Sequence, residues 1–89
     1  MSDVHDNPAL SRFELEAGGH TAVAYYRLEP GVITFTHTEV PPALSGQGIG
    51  SRLARGALDN VRARGLKVVA KCEFMGGYIA KHPEQSDLL

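Results

Sequence analysis

Apolar residues recur at every second position through the first half of the chain and then change to helical spacing. Ser11-Arg12-Phe13-Glu14-Leu15-Glu16 alternates as a half-exposed strand does. Ala17-Gly18-Gly19-His20 predicts a turn, and residues 21–28, rich in β-branched and aromatic side chains, predict a second strand. Glu29-Pro30-Gly31 turns again, and residues 32–40 carry the strongest strand signal. Connections this short predict an antiparallel meander. From Gly48 onward Ile49, Leu53, Ala54, Ala57, Leu58 and Val61 build one apolar stripe. Arg52, Arg55, Asp59, Arg62 and Arg64 take the other faces, and Gly65 is the stop. Residues 66–72 read as another strand, which the intervening helix predicts to run parallel to the one ending at Val40. Residues 74–81 predict a short second helix, stopped by His82-Pro83 even though Gly76-Gly77 weakens it. The predicted class is α/β (α+β), in the order β-β-β-α-β-α. Residues 1–10, broken by Asn7-Pro8, are expected as a flexible lead-in to a single domain over 11–89.

Between the third strand and the helix lies Ser45-Gly46-Gln47-Gly48-Ile49-Gly50-Ser51. Glycines at alternate positions leave successive backbone N–H groups uncovered by side chains. The first N–H groups of a helix have no intrahelical partner, and the macrodipole adds partial positive charge there. Such a turn suits a phosphate or pyrophosphate. A P-loop would need Lys-Ser/Thr after its last glycine, which Gly50-Ser51-Arg52 lacks. A dinucleotide fold would need an acidic residue about 20 positions on; Ala70 and Lys71 stand there instead.

Composition narrows the function classes. The 89 residues are 43% hydrophobic, enough for one small core. One cysteine excludes an internal disulfide framework. No apolar run approaches the roughly 20 residues of a membrane span. Residues 1–6 lack the features of a signal peptide, so a cytoplasmic location is expected. Residues 1–40 hold six acids and two arginines, whereas residues 41–89 hold four acids and seven Lys or Arg. The glycine turn thus lies in the basic half, as an anionic ligand would favour. No basic run or aromatic stacking motif points to nucleic acid. Four histidines and one cysteine show no ligand pair at usable spacing, so no metal is expected.

Residues 45–50, placed after a β-meander and before an amphipathic helix, resemble the acetyl-coenzyme A signature of the GNAT N-acetyltransferase superfamily. The pattern is most similar to the small, single-domain YjdJ-type group. It rests on His37-Thr38-Glu39-Val40-Pro41, the glycine turn, Gly65-Leu66-Lys67-Val68-Val69, Cys72, Tyr78-Ile79 and His82-Pro83, in that order. The resemblance implies an abbreviated GNAT-like fold in which residues 32–40 and 67–72 splay apart. The pantetheine arm of acetyl-CoA would lie in that wedge, with pyrophosphate on the helix N-terminus. Cofactor contacts are then expected at Val40, Ser45, Gly46, Gln47, Gly48, Ile49, Gly50, Ser51 and Cys72. Ser45 departs from the family, which usually has a basic residue beside the turn.

Acetyl transfer to an amine needs a positioned thioester, a donor for the developing oxyanion and a base for the amine. Strict alternation would put Ile33, Phe35, His37 and Glu39 on one strand face. Glu39 is the first candidate for base or amine binder and His37 the second; the bland alternative is a packed histidine and an edge carboxylate. Cys72 is either a nucleophile passing through acetyl-cysteine or a small buried hydrophobe. The resemblance makes Tyr78 a candidate proton donor to the leaving thiolate; packing is the alternative. The leading expectation is an acetyl-CoA-dependent N-acetyltransferase acting on a protein lysine or small amine, as a monomer or weak homodimer. The alternatives are a non-catalytic acyl-CoA-binding sensor and a plain interaction domain.

Overall fold

The computed structural model describes residues 3–89, so residues 1 and 2 of the expected lead-in lie outside the described residues. Strands β1 (His5–Asn7), β2 (Arg12–Ala17), β3 (His20–Glu29) and β4 (Val32–Glu39) come first. Helix α1 (Ile49–Ala63), strand β5 (Lys67–Ala70) and helix α2 (Glu73–Lys81) follow. The sheet order is β1-β2-β3-β4-β5, antiparallel until β4 meets β5 in parallel. The predicted mixed α/β class and all six predicted elements are present.

Strand β1 is an addition. Residues 3–10, read from the sequence as a lead-in, carry an edge strand and a 3-10 turn at Pro8–Leu10. Polar side chains hold it: Asn7 Nδ2 donates to Glu14 at 3.1 Å, and the Tyr26 hydroxyl donates to Asp6 at 2.6 Å. Such contacts leave no trace in hydrophobic periodicity, which is why the strand escaped prediction.

Both helices pack on one face of the sheet. Phe13, Leu15, Ala22, Ala24, Ile33 and Phe35 meet the α1 stripe and, from α2, Met75 and Ile79 in one core. Helix α1 crosses β2 and β3, while α2 rests on β4 and β5. The alanines of β3, with Ala54 and Ala57 of α1, let helix and sheet approach closely. Each larger side chain buried here stabilises the fold by roughly 1.5–3 kcal/mol. The C-terminal 3-10 segment (Pro83–Leu88) is tied down by Arg62, which donates to Asp87 at 2.7 and 3.0 Å and to Gln85 at 2.9 Å. Leu88 completes the seal by entering the core.

The second sheet face carries no helix. A β-bulge decides which side chains reach it. Tyr26 pairs with Phe35 but Tyr25 pairs with His37, so Thr36 is an extra residue in β4. One inserted residue bends a strand and reverses the facing of everything beyond it. Ile33 and Phe35 therefore face the core, whereas His37 and Glu39 stand on the open face opposite Tyr25 and Val23. The single face expected for Ile33, Phe35, His37 and Glu39 is corrected by this bulge. Thr38 turns to the helix side instead.

Candidate active site

The β4–β5 ladder ends where Phe35 pairs with Ala70, although β4 runs on to Glu39. The Phe35 carbonyl accepts from both the Lys71 and Cys72 N–H groups, at 3.0 and 3.1 Å, and the chain then enters α2. Beyond Phe35 strand β4 keeps β3 as a neighbour and loses β5. The bulge bends one side of this wedge away, and the start of α2 draws off the other.

Cys72 sits at the wedge. Its sulfur caps α2 by accepting the Met75 N–H at 3.4 Å, and it meets the Thr38 hydroxyl at 3.1 Å. Only 7% of the residue is exposed. The cysteine thus joins the two splayed strands while starting a helix, a role neither sequence reading had given it.

The glycine turn follows a 3-10 segment at Pro42–Leu44. Gly46 and Gly48 take positive φ values of 79° and 70°, a conformation a side chain would strain. A Cβ at either would meet nothing within 4 Å, so these glycines face open space rather than packed neighbours. Gly48 is the N-cap of α1, with no side-chain cap and no acid in the first turn. The N–H groups of Ile49, Gly50 and Ser51 are therefore left to an external acceptor. Ile49 buries its side chain in the core, while Ser45 and Ser51 are exposed. Gln47 bends back, donating to the Ala43 carbonyl at 3.3 Å. Gly50 differs from its neighbours: a Cβ there would lie 2.6 Å from the Phe74 ring, so its smallness also serves α1–α2 packing.

His37 and Glu39 do form a pair, with Nε2 and Oε1 3.5 Å apart and both side chains about three-fifths exposed, at 62% and 61%. Tyr78 is buried, its ring stacked on His82 at 4.0 Å. Burial pushes the Tyr78 hydroxyl up from its ordinary value, so it is protonated at neutral pH, as any tyrosine is, and is a weaker acid than a free one. Two grooves flank the Thr38–Cys72 contact. One, of about 270 Å³, includes Ser51, Phe74, Gly77, Tyr78 and Lys81. The other, of about 470 Å³, includes Val23, Thr38, Glu39 and Val40. The structure thus brings Ser51, from the first turn of α1, and Tyr78 to the first groove and Glu39 and Val40 to the second, while Gly46, Gly48 and Cys72 line neither. Sequence reasoning had passed over Thr38, Tyr25 and Arg12. The alternation of β2 and β3 could have placed Arg12 and Tyr25 on a common face, but only the bulge brings His37 to them. Among the described residues no group of three His, Cys, Asp or Glu could hold a metal, and no helix is long and apolar enough to cross a membrane.

The splayed mixed sheet and the glycine-started helix define an α/β domain of the acetyltransferase class. A family model described as GCN5-related N-acetyl-transferase matches residues 12–88, and the chain belongs to that family of acetyl-transferring enzymes. The chain is also similar to Protein NATD1 of Gallus gallus and of Mus musculus, 38% identical over 52 residues in each case. Those matches cover 58% of this chain and 47% of each relative. Protein NATD1 of Homo sapiens is 38% identical over 52 residues, with 46% of its length covered. The match thus spans about half the length of these relatives.

Proposed function

We propose that this chain is an acetyl-CoA-dependent N-acetyltransferase of the small YjdJ-type group, acting on an exposed amine such as a protein lysine. The wedge between β4 and β5 beside the uncapped start of α1 carries this reading. The open conformation of Gly46 and Gly48 fits a pyrophosphate on the α1 N–H groups. Val40 and the stretch of β4 that β5 leaves uncovered offer backbone groups to the pantetheine arm, and the Thr38–Cys72 contact marks its far end.

When bound, acetyl-CoA supplies an acetyl thioester whose C–S bond breaks as the new N–C bond to the amine forms. Glu39, with His37 beside it, holds the cationic amine and takes its proton. Tyr78, protonated at neutral pH and lining the same groove as Ser51, is the proton donor to the departing sulfur. Cys72 spends its sulfur on the Met75 N–H and Thr38, which favours direct transfer over an acetyl-cysteine route. The exposure of His37 and Glu39 also suits a module that binds acyl-CoA without turnover.

Calorimetry with acetyl-CoA tests the site. Ser51→Glu places a carboxylate in the first turn of α1, which stabilises a helix by roughly 0.3–1 kcal/mol while repelling a phosphate. The expected result is wild-type binding that weakens at least about tenfold in a variant with an unchanged or higher melting temperature. Equal binding by both proteins would remove the pyrophosphate site from α1. Binding with no acetylation of lysine peptides or polyamines would favour the sensor. Gly48→Glu is a poorer probe, because the positive φ at that position strains any side chain.

A further inference from the structure

The open sheet face carries a connected row of side chains across β2, β3 and β4. Glu14 accepts from Arg12 Nε at 2.5 Å and from Asn7 at 3.1 Å. Arg12 in turn donates to the Tyr25 hydroxyl at 3.0 Å and sets its guanidinium 5.7 Å from the centre of that ring. Tyr25 lies directly across from His37, their rings within 18° of parallel and 6.3 Å apart. His37 then reaches Glu39. An anchor at buried Glu14 and half-buried Arg12 thus leads by contacts to an exposed pair at the wedge.

We propose that Arg12 and Tyr25 are positioning residues, whose stack fixes the His37 ring so that Glu39 meets the acceptor amine in one orientation. This rests on the acetyltransferase reading above. An exposed histidine on a strand otherwise samples several rotamers, and each must be given up at the moment of reaction. Arg12 at the hydroxyl end of the Tyr25 ring and His37 lying nearly parallel to that ring restrict both rings without burying them. The bulge at Thr36 is what makes this possible, since without it His37 would face the core. Small displacements of a base matter: a misplacement of about 1 Å can lower turnover about a hundredfold.

The test compares wild type with Tyr25→Phe, Tyr25→Leu and Arg12→Met. Two readouts are used: the His37 ring proton shifts by NMR without cofactor, and kcat and KM with acetyl-CoA and a lysine peptide. Wild type and Tyr25→Phe should show the His37 protons displaced by the neighbouring ring current, and Tyr25→Leu should lose that displacement. Turnover by Tyr25→Leu should fall at least about tenfold, with KM for the peptide and acetyl-CoA affinity within about twofold. Tyr25→Phe should restore more than half of wild-type kcat, and Arg12→Met should fall between. A merely structural stack would move the melting temperature and leave this split and rescue absent. The proposal is overturned if wild-type His37 shows no ring-current shift, or if Tyr25→Leu loses the shift and keeps its kcat. A wild type that binds acetyl-CoA and acetylates no amine overturns the enzyme reading, and this role with it, while the ring shift still records the stack.

Discussion

The two faces of the one sheet are built from the same strands and differ in almost everything else. The face under the helices is lined by Phe13, Leu15, Ile33 and Phe35, each with no exposed surface. The open face carries Arg12, Glu14, Tyr25, His37 and Glu39, joined by hydrogen bonds, ring contacts, the Arg12–Glu14 ion pair and the close approach of His37 to Glu39. Period-two alternation sorts residues so that stability and chemistry share a backbone without sharing an environment. On the face without helices Glu14 is still covered by its neighbours, whereas His37 and Glu39 stand in water.

Phe35→Ala should do the most damage, costing about 3–5 kcal/mol in chemical denaturation because it empties a site enclosed on all sides. Arg27→Ala on the exposed face should stay within about 0.5 kcal/mol. Comparable losses at the two positions would break the contrast between the faces.

The faces should also fail at opposite ends of the pH scale. On the covered side, burial and the Asp6 carboxylate push the Tyr26 hydroxyl from 10.0 to about 12. The folded chain then holds a proton that the unfolded chain releases, so this contribution is lost as pH rises from 10 toward 12. Tyr26→Phe should flatten the alkaline limb of a stability–pH curve. On the open side, the Arg12 hydrogen bond holds Glu14 below its ordinary value, outweighing its desolvation. That contribution is complete above the unfolded carboxylate value and disappears as pH falls through the folded one. Glu14→Gln should flatten the acid limb and leave the alkaline limb alone. A swap of these limbs between the variants would contradict the assignment.

A small effect, where two opposing terms nearly cancel, is expected at Gly50→Ala. The added Cβ gains roughly 1 kcal/mol of helix propensity and must displace the tip of the Phe74 ring, which is 39% exposed. A net change under about 1 kcal/mol is expected, turning clearly stabilising when combined with Phe74→Leu. Additive effects in that double-mutant cycle would show that the ring is not what fills the space.

Much of this was legible in the sequence because the relevant signals are local. The α1 stripe, the turn at Glu29-Pro30-Gly31 and the glycines before Ile49 each act over a few residues through spacing and backbone freedom. Even α2 was readable despite Gly76-Gly77, since Met75, Tyr78 and Ile79 bury one side of it. Strand β1 was not, because its stability comes from Glu14 and Tyr26, distant in sequence. The candidate pair His37–Glu39 was read correctly as neighbours and assigned to the wrong face.

The sequence by itself determined the order of the central elements, the apolar stripe of α1 and the glycine turn with its exposed N–H groups. Each is dictated by side-chain period or by allowed φ values, which neighbouring residues settle among themselves. Only the tertiary structure decided that Thr36 bulges, that β4 and β5 part after Phe35, and that Cys72 spends its sulfur on a helix cap and Thr38. Those outcomes depend on register between strands and on contacts across 34 residues of chain. A one-residue shift in register carries no cost visible in composition, yet it moves His37 from the core to the open face where Tyr25 and Arg12 await it.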